Sequence, residues 1–172
     1  MEIIFVRHAE PDYILADEYK MNQIEKNFAP LTKEGRLAAK ELQTHHEFLD
    51  ADLIVSSPYT RALQTASIIN QSLELDLEIE FNLREWLADK EGGYISLKER
   101  DRRWEEYRSE EVVLKPPYET ASELVERTRK VLNQYKDYKK VIVVCHFNVI
   151  EAIVGKMEEV LPFAGTISYQ YI

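Results

Sequence analysis

The chain sets short apolar runs between longer amphipathic stretches. Ile3 to Val6 is an unbroken run of β-branched and aromatic residues, and Val141 to Cys145 is a second. Runs without polar alternation suit strands covered on both sheet faces. Asp52 to Ser56 and Leu77 to Phe81 read as further short strands. Ile167, Tyr169 and Tyr171 alternate with Ser168 and Gln170, the period of a strand with one wet face.

Between these runs the period lengthens to that of a helix. Thr32 can cap a helix, Glu34 suits its positive end, and Leu37, Ala38, Leu42 and Leu49 supply its apolar side. Ser57-Pro58-Tyr59 turns into a second helix bearing Ala62, Leu63, Ala66 and Ile69. Ser96 to Arg108 reads as a charged helix. Ala121 to Tyr138 reads as another, with Leu124, Val125, Thr128, Val131, Leu132 and Tyr135 inward. Asn148 can cap the helix after His146. Tyr13 to Pro30 reads as a loop with helical pieces, Gly92-Gly93 marks a loop, and Pro116-Pro117 breaks the chain. Strands alternating with helices predict a three-layer α/β/α sandwich around a mostly parallel sheet, with an antiparallel edge strand at Ile167 to Tyr171. No repeat or linker divides the chain, so residues 1–172 are expected to form one domain.

Composition narrows the classes. At 172 residues the chain can bury roughly 70% of its unfolded surface without disulfides or a structural metal. A net charge of −9 disfavours nucleic acid. No apolar run reaches the length of a membrane span. Met1 to His8 reads as a first strand and not as a signal peptide. The single cysteine, Cys145, precludes an internal disulfide and suits a reducing, cytoplasmic setting. Cys145 itself reads as core. His45 and His46, adjacent on a helix, point in different directions, and no cluster has metal-ligand spacing. Glu105-Glu106 and Glu110-Glu111 read as a solvated helix face.

In open α/β sheets ligands bind beyond the carboxyl ends of the strands. Arg7 and His8 follow the first strand, Ser57 and Arg61 the second, and His146 ends the Val141 run. Two arginines and a helix start make a phosphate clamp. A neutral histidine offers a ring nitrogen as nucleophile. Glu85 is the favoured acid, with Glu10 and Glu91 as other choices. Trp86, Tyr94 and Trp104 are candidates for a substrate mouth.

Arg7-His8-Ala9-Glu10 resembles the Arg-His-Gly signature of the histidine phosphatase superfamily, which includes the cofactor-dependent phosphoglycerate mutases. Leu31-Thr32-Lys33-Glu34-Gly35 is similar to its Leu-Thr-x-x-Gly helix start. Ser56-Ser57-Pro58-Tyr59-Thr60-Arg61-Ala62-Leu63-Gln64-Thr65-Ala66 is similar to its second signature. Leu83-Arg84-Glu85 and Val143-Val144-Cys145-His146 resemble its acid-bearing segment and the approach to its second histidine. These matches run in family order and cover nearly the whole chain.

The resemblance implies that His8 forms a phosphohistidine. Arg7, Arg61 and His146 would hold the phosphoryl oxygens, and Glu85 would protonate the leaving oxygen. Backbone N–H groups at Phe147 and Asn148 would add donors, and Ser57 would set the second loop or touch phosphate. It implies a small phosphorylated metabolite as substrate, and neither metal nor organic cofactor. The sequence departs from the pattern at Ala9 and Phe147, where the family has glycine. It departs again at Pro11 and Ile14, where the family often has Thr and Asn, and only loosely echoes the family's Gly-x-x-Glu-Gly at Glu91-Gly92-Gly93. The short length favours a phosphatase over a mutase. A phosphate-binding module without catalysis is the other alternative.

Overall fold

The computed structural model describes residues 1–109 and 113–172; the Glu110-Glu111 pair lies outside the described residues. Strand β1 (Glu2–Arg7) is followed by helix α1 (Ile14–Glu18), α2 (Lys33–Glu41), β2 (Leu53–Ser56) and α3 (Thr60–Leu73). Then come β3 (Leu77–Ile79), α4 (Leu97–Arg108), α5 (Ala121–Leu132), β4 (Lys140–Cys145), α6 (Phe147–Val154) and β5 (Thr166–Gln170). The sheet order is β3-β2-β4-β1-β5. Its first three pairings are parallel, and β5 runs antiparallel to β1. The expected sandwich with its antiparallel edge is therefore the observed fold.

The two continuous apolar runs become the two central strands, β1 and β4, as double-sided burial requires. Ile3, Phe5, Val141 and Val143 face a core shared with α5 and α6. Ile4, Val6, Ile142 and Val144 face a second core shared with α3. The β1–β4 register sets Arg7 beside Cys145, so His8 and His146 leave the sheet side by side.

Several expected details differ. Leu37 and Leu49 are exposed, not core. Helix α2 packs through its small residues, Gly35 and Ala39, and Leu37 stands about 200° round the axis from each. The helix ends at Glu41, so its period does not reach Leu49, and Phe48 fills that buried place instead. His45 and His46 flank a break between two 3₁₀ turns, and their rings stack 5.2 Å apart where a helix would splay them. The long helix from Ala121 stops at Leu132 and tightens into a 3₁₀ turn. Asn148 is not a cap: the α6 N-cap is His146, and Asn148 lies in the first turn. The Thr32 cap is present, its Oγ1 accepting from Gly35 N–H at 2.8 Å.

Gly35 has a steric reason. A β-carbon there would stand 2.4 Å from the Glu10 carbonyl oxygen, two residues beyond His8. That carbonyl also accepts from Thr32 N–H at 3.0 Å. Helix α2 is thus pressed backbone to backbone against the segment that carries His8. Gly35→Ala is expected to cost about 2 kcal/mol through overpacking and to lower Tm by roughly 4–8 °C; thermal unfolding checks it. An unchanged Tm would mean that this contact relaxes freely.

Candidate active site

His8 is 4% exposed and directly follows β1. Its Nδ1 lies 2.8 Å from the Ala9 carbonyl oxygen. A carbonyl only accepts, so Nδ1 carries the proton and Nε2 keeps its lone pair. Arg61 Nε–H donates to that lone pair at 3.3 Å. Ala9 N–H donates in turn to Thr65 Oγ1, and Thr65 O–H to the Arg61 carbonyl. The backbone after His8 is thereby tied to the first turns of α3, which position Arg61.

His146 is fully buried, with its ring centroid 5.1 Å from that of His8. Ser57 Oγ is 2.7 Å from His146 Nε2 and accepts from Tyr59 N–H at 3.4 Å. Ser57 thus touches the second histidine. Where the Ser57 hydroxyl donates to Nε2, the ring proton lies on Nδ1.

Among the described residues four buried side-chain nitrogens lack a partner: Arg7 Nε, Arg61 Nη1, His146 Nδ1 and His45 Nδ1. Three of the four surround His8. An unpaired buried polar nitrogen costs about 1–3 kcal/mol, so a cluster of three, two of them arginine N–H donors, marks a place built for a ligand with several oxygens. The first intrahelical bond of α6 is Ile150 N–H to the His146 carbonyl. The N–H groups of Phe147 and Asn148 precede it, at the positive end of the helix.

Glu85 enters this site on the loop after β3. Its Oε1 accepts from Trp86 N–H at 2.7 Å and from Asn148 Nδ2–H at 3.3 Å. Trp104 Nε1–H donates to Asn148 Oδ1, which turns the Asn148 amide so that its N–H faces Glu85. Both bonds fall on Oε1, and Oε2 is the oxygen left to carry a proton. Glu10 instead accepts from Thr32 O–H, outside the cavity.

Burial sets the protonation states. Desolvation, reinforced by the Arg61 charge, holds the His8 imidazole well below its ordinary pKa. The same two causes lower His146. Desolvation raises the Glu85 carboxyl above the usual carboxylate range, against the pull of its hydrogen bonds and of Arg61. A neutral nucleophile and a carboxyl biased towards its protonated form therefore face one space.

That space is a cavity of about 890 Å³ lined by Arg7, His8, Arg61, Glu85, Phe147 and Asn148, with Trp86 and Trp104 also in its wall. The structure thus brings together Arg7, His8, Ser57, Arg61, Glu85, His146, Phe147 and Asn148. Tyr94 is half exposed and does not line the cavity; its neighbour Ile95 does. Glu91 is exposed on the rim.

Two parts of the site went unread in the sequence. Phe163 lies 4.1 Å from the Arg7 guanidinium carbon and 5.5 Å from the His8 ring. It sits in a turn before β5 without a periodic signal. The second is a buried ion pair behind Glu85. Arg127 reaches Glu119 through two bonds, one of 2.8 Å, and donates to the Asn82 and Glu85 carbonyls. Glu119 accepts from Leu87 N–H, and its carbonyl accepts from Trp86 Nε1–H. The pair clamps both sides of the Glu85 segment. A smaller depression of about 380 Å³ lies against this clamp and lacks the histidines.

The family model described as "Histidine phosphatase superfamily (branch 1)" matches residues 3–165. The chain is 33% identical over 160 residues to a Bacillus subtilis (strain 168) protein called "Uncharacterized phosphatase PhoE", covering 90% of this chain and 76% of that one. A mycobacterial glucosyl-3-phosphoglycerate phosphatase structure superposes with a TM-score of 0.76 at 18% identity, covering 97% of this chain and 88% of that one. Bacillus stearothermophilus YhfR does so at 0.74 and 18%, covering 97% and 89%. The last two likenesses establish the fold.

Arg127→Met is expected to cost about 3–5 kcal/mol, because it strands the buried Glu119 carboxylate. Glu119→Leu combined with Arg127→Met is expected to cost less than the single change. Urea unfolding of the two variants checks this; a double variant as unstable as the single one would contradict it.

Proposed function

From the premise that the chain belongs to the histidine phosphatase superfamily, we propose that it is a phosphatase acting on a small phosphomonoester through a phosphohistidine on His8. The observation that carries this reading is the neutral His8 Nε2 ringed by the unpartnered nitrogens of Arg7, Arg61 and His146. The relatives called phosphatases support the reaction class.

The chemistry follows from the geometry. Arg7, Arg61 and His146 take the phosphoryl oxygens, and Arg61 Nε releases the His8 lone pair to phosphorus. Nε2 forms the new P–N bond as the P–O bond to the alcohol breaks, and Glu85 Oε2 gives its proton to the departing oxygen. Water then enters, loses a proton to Glu85 and attacks phosphorus. The P–N bond breaks, phosphate leaves, and both residues return to their starting states. Charge spreads over the phosphoryl oxygens in the transition state, where fixed cations stabilise it most. No step requires a metal ion. We read residues 1–172 as one such domain, placed in the cytoplasm on the strength of its single, buried cysteine.

Two outcomes test this. Wild type is expected to hydrolyse an aryl phosphate equally with and without chelator, and His8→Ala to lose roughly 10⁴-fold or more. Intact mass after a rapid alkaline quench is expected to show a phosphoryl adduct on wild type and none on His8→Ala. Activity that survives loss of His8 overturns the mechanism.

The second outcome concerns Glu85. His8 must be neutral to attack, so activity falls as pH drops through its lowered pKa. Glu85 must be protonated to donate, so activity also falls as pH rises through its raised pKa. Glu85→Gln is expected to lose about 10²–10⁴-fold in kcat/KM, which reports phosphorylation of His8 alone, on an alkyl phosphate. On a nitrophenyl ester, whose leaving group needs no proton, kcat/KM is expected to fall under roughly tenfold and its alkaline limb to flatten. Equal losses on both esters would remove Glu85 from the acid's role.

A further inference from the structure

The cavity's charges are not evenly available. Besides Arg7 and Arg61, four cations line it: Lys26, Arg84, Lys90 and Arg100. Each already has a partner within the chain. Lys26 pairs with Asp17 at 3.7 Å, Lys90 with Glu123 at 2.9 Å, and Arg100 with Asp101 at 2.7 Å. Arg84 donates to Asn82 Oδ1 at 2.9 Å and lies over the Phe81 ring. Around His8 the opposite holds, since Arg7 and Arg61 each keep a buried N–H with no partner. One phosphoryl group is thus provided for at depth, and the rim offers no comparable place for a second anion.

What the rest of the cavity offers is apolar and flat. Phe147 is 5% exposed and lines the cavity at the first position of α6. Phe163 lies over Arg7 on the cavity wall, with 41% of its surface open. Trp104 closes another part of the wall, its indole N–H spent on Asn148. Ile24, Ile95 and Leu97 extend the apolar lining outward. At about 890 Å³ the space exceeds what a phosphoryl group and a two-carbon alcohol fill.

We infer that the substrate is a phosphomonoester carrying one anionic group, whose alcohol part is an uncharged, ring-bearing apolar body seated among Phe147, Phe163 and Trp104. This rests on the phosphatase reading and adds to it the substrate class. Aromatic walls gain from offset or edge contact with a flat ring beyond the area that they bury. To find a cation, a second phosphate or carboxylate would have to break the ion pair of Lys26, Lys90 or Arg100, or draw Arg84 away from Asn82 and the Phe81 ring. Phe147 and Phe163 are the specificity-determining residues of this arrangement.

The test uses alkyl esters with matched leaving alcohols, so that differences report binding and not leaving-group acidity. The probes are 2-(1-naphthyl)ethyl phosphate, ethyl phosphate, and phosphoglycolate, in which a carboxylate replaces the methyl group of ethyl phosphate. For wild type, kcat/KM is expected to be about 100-fold higher for the naphthyl ester than for ethyl phosphate, and no higher for phosphoglycolate than for ethyl phosphate. Phe163→Ala is expected to cut the naphthyl-to-ethyl ratio roughly tenfold, and Phe163→Tyr to retain it. A merely structural role for Phe163 would lower both esters together and leave the ratio unchanged, which overturns its assignment. Similar kcat/KM for both esters, or a preference for phosphoglycolate, overturns the substrate class while leaving the phosphatase reading intact. Turnover of every ester no faster than by His8→Ala defeats the phosphatase reading and this inference with it.

Discussion

The interaction on which the site depends is the hydrogen bond from His8 Nδ1–H to the carbonyl of the next residue. It uses no side chain other than the imidazole, so it holds only while the backbone at Ala9 is fixed. That backbone is fixed from several sides. His8 N–H is paired to the Cys145 carbonyl in the extension of the β1–β4 ladder. Ala9 N–H goes to Thr65. Glu10 is held against Gly35 and Thr32 at the start of α2. A shift at any of these would turn the carbonyl, release the tautomer and put a proton where the lone pair has to be.

Biasing two titratable groups towards their neutral forms in one pocket is a demand of a different kind. His8 is lowered and Glu85 raised, in both cases chiefly by desolvation. Arg61 lowers both, by its charge against an imidazolium and towards a carboxylate. The carboxyl is therefore the more finely balanced group, and the scaffold around it is correspondingly elaborate. Trp104 orients Asn148, Asn148 and Trp86 N–H occupy Oε1, and the Glu119–Arg127 pair grips the backbone on either side. The chain's net charge of −9 does not enter this balance directly. Its acids are largely outside, while Arg7 and Arg61 stand where the strands end.

The central strands were legible because double-sided burial writes itself as unbroken apolar sequence, and the strand-end rule then located His8, Arg61 and His146. Helix faces were less legible. Leu37 has the right type and roughly the right spacing, but α2 approaches its neighbours through Gly35 and Ala39, where close backbone contact excludes large side chains. Phe163 and the Glu119–Arg127 pair were missed for a related reason. They reach the site through tertiary contact from turns and from a helix more than 30 residues away from Glu85, and no local period reports such a contact. A buried arginine on the otherwise apolar face of α5, beside Leu124, Thr128 and Val131, was the one signal available.

Phe147 shows how a departure from a pattern can be structurally neutral and functionally informative. Glycine at a phosphate site is useful where backbone must approach the ligand without a side chain in between. At the first position of a helix the N–H points out along the axis, whereas the side chain leaves sideways and back. A ring there leaves the N–H of Phe147 clear for an anion. The backbone also needs no left-handed conformation, since the positive-φ residues of the chain lie elsewhere. The ring goes instead into the cavity, 5.9 Å from the Arg7 guanidinium carbon, with Phe163 at 4.1 Å from the same atom. Arg7 is thus screened from water by two aromatic faces while one of its N–H groups waits unpaired. Excluding water strengthens its pull on a phosphoryl oxygen. The same rings form the wall that the rest of the substrate meets, so the strength of the phosphate site and the shape of its mouth are set by the same side chains.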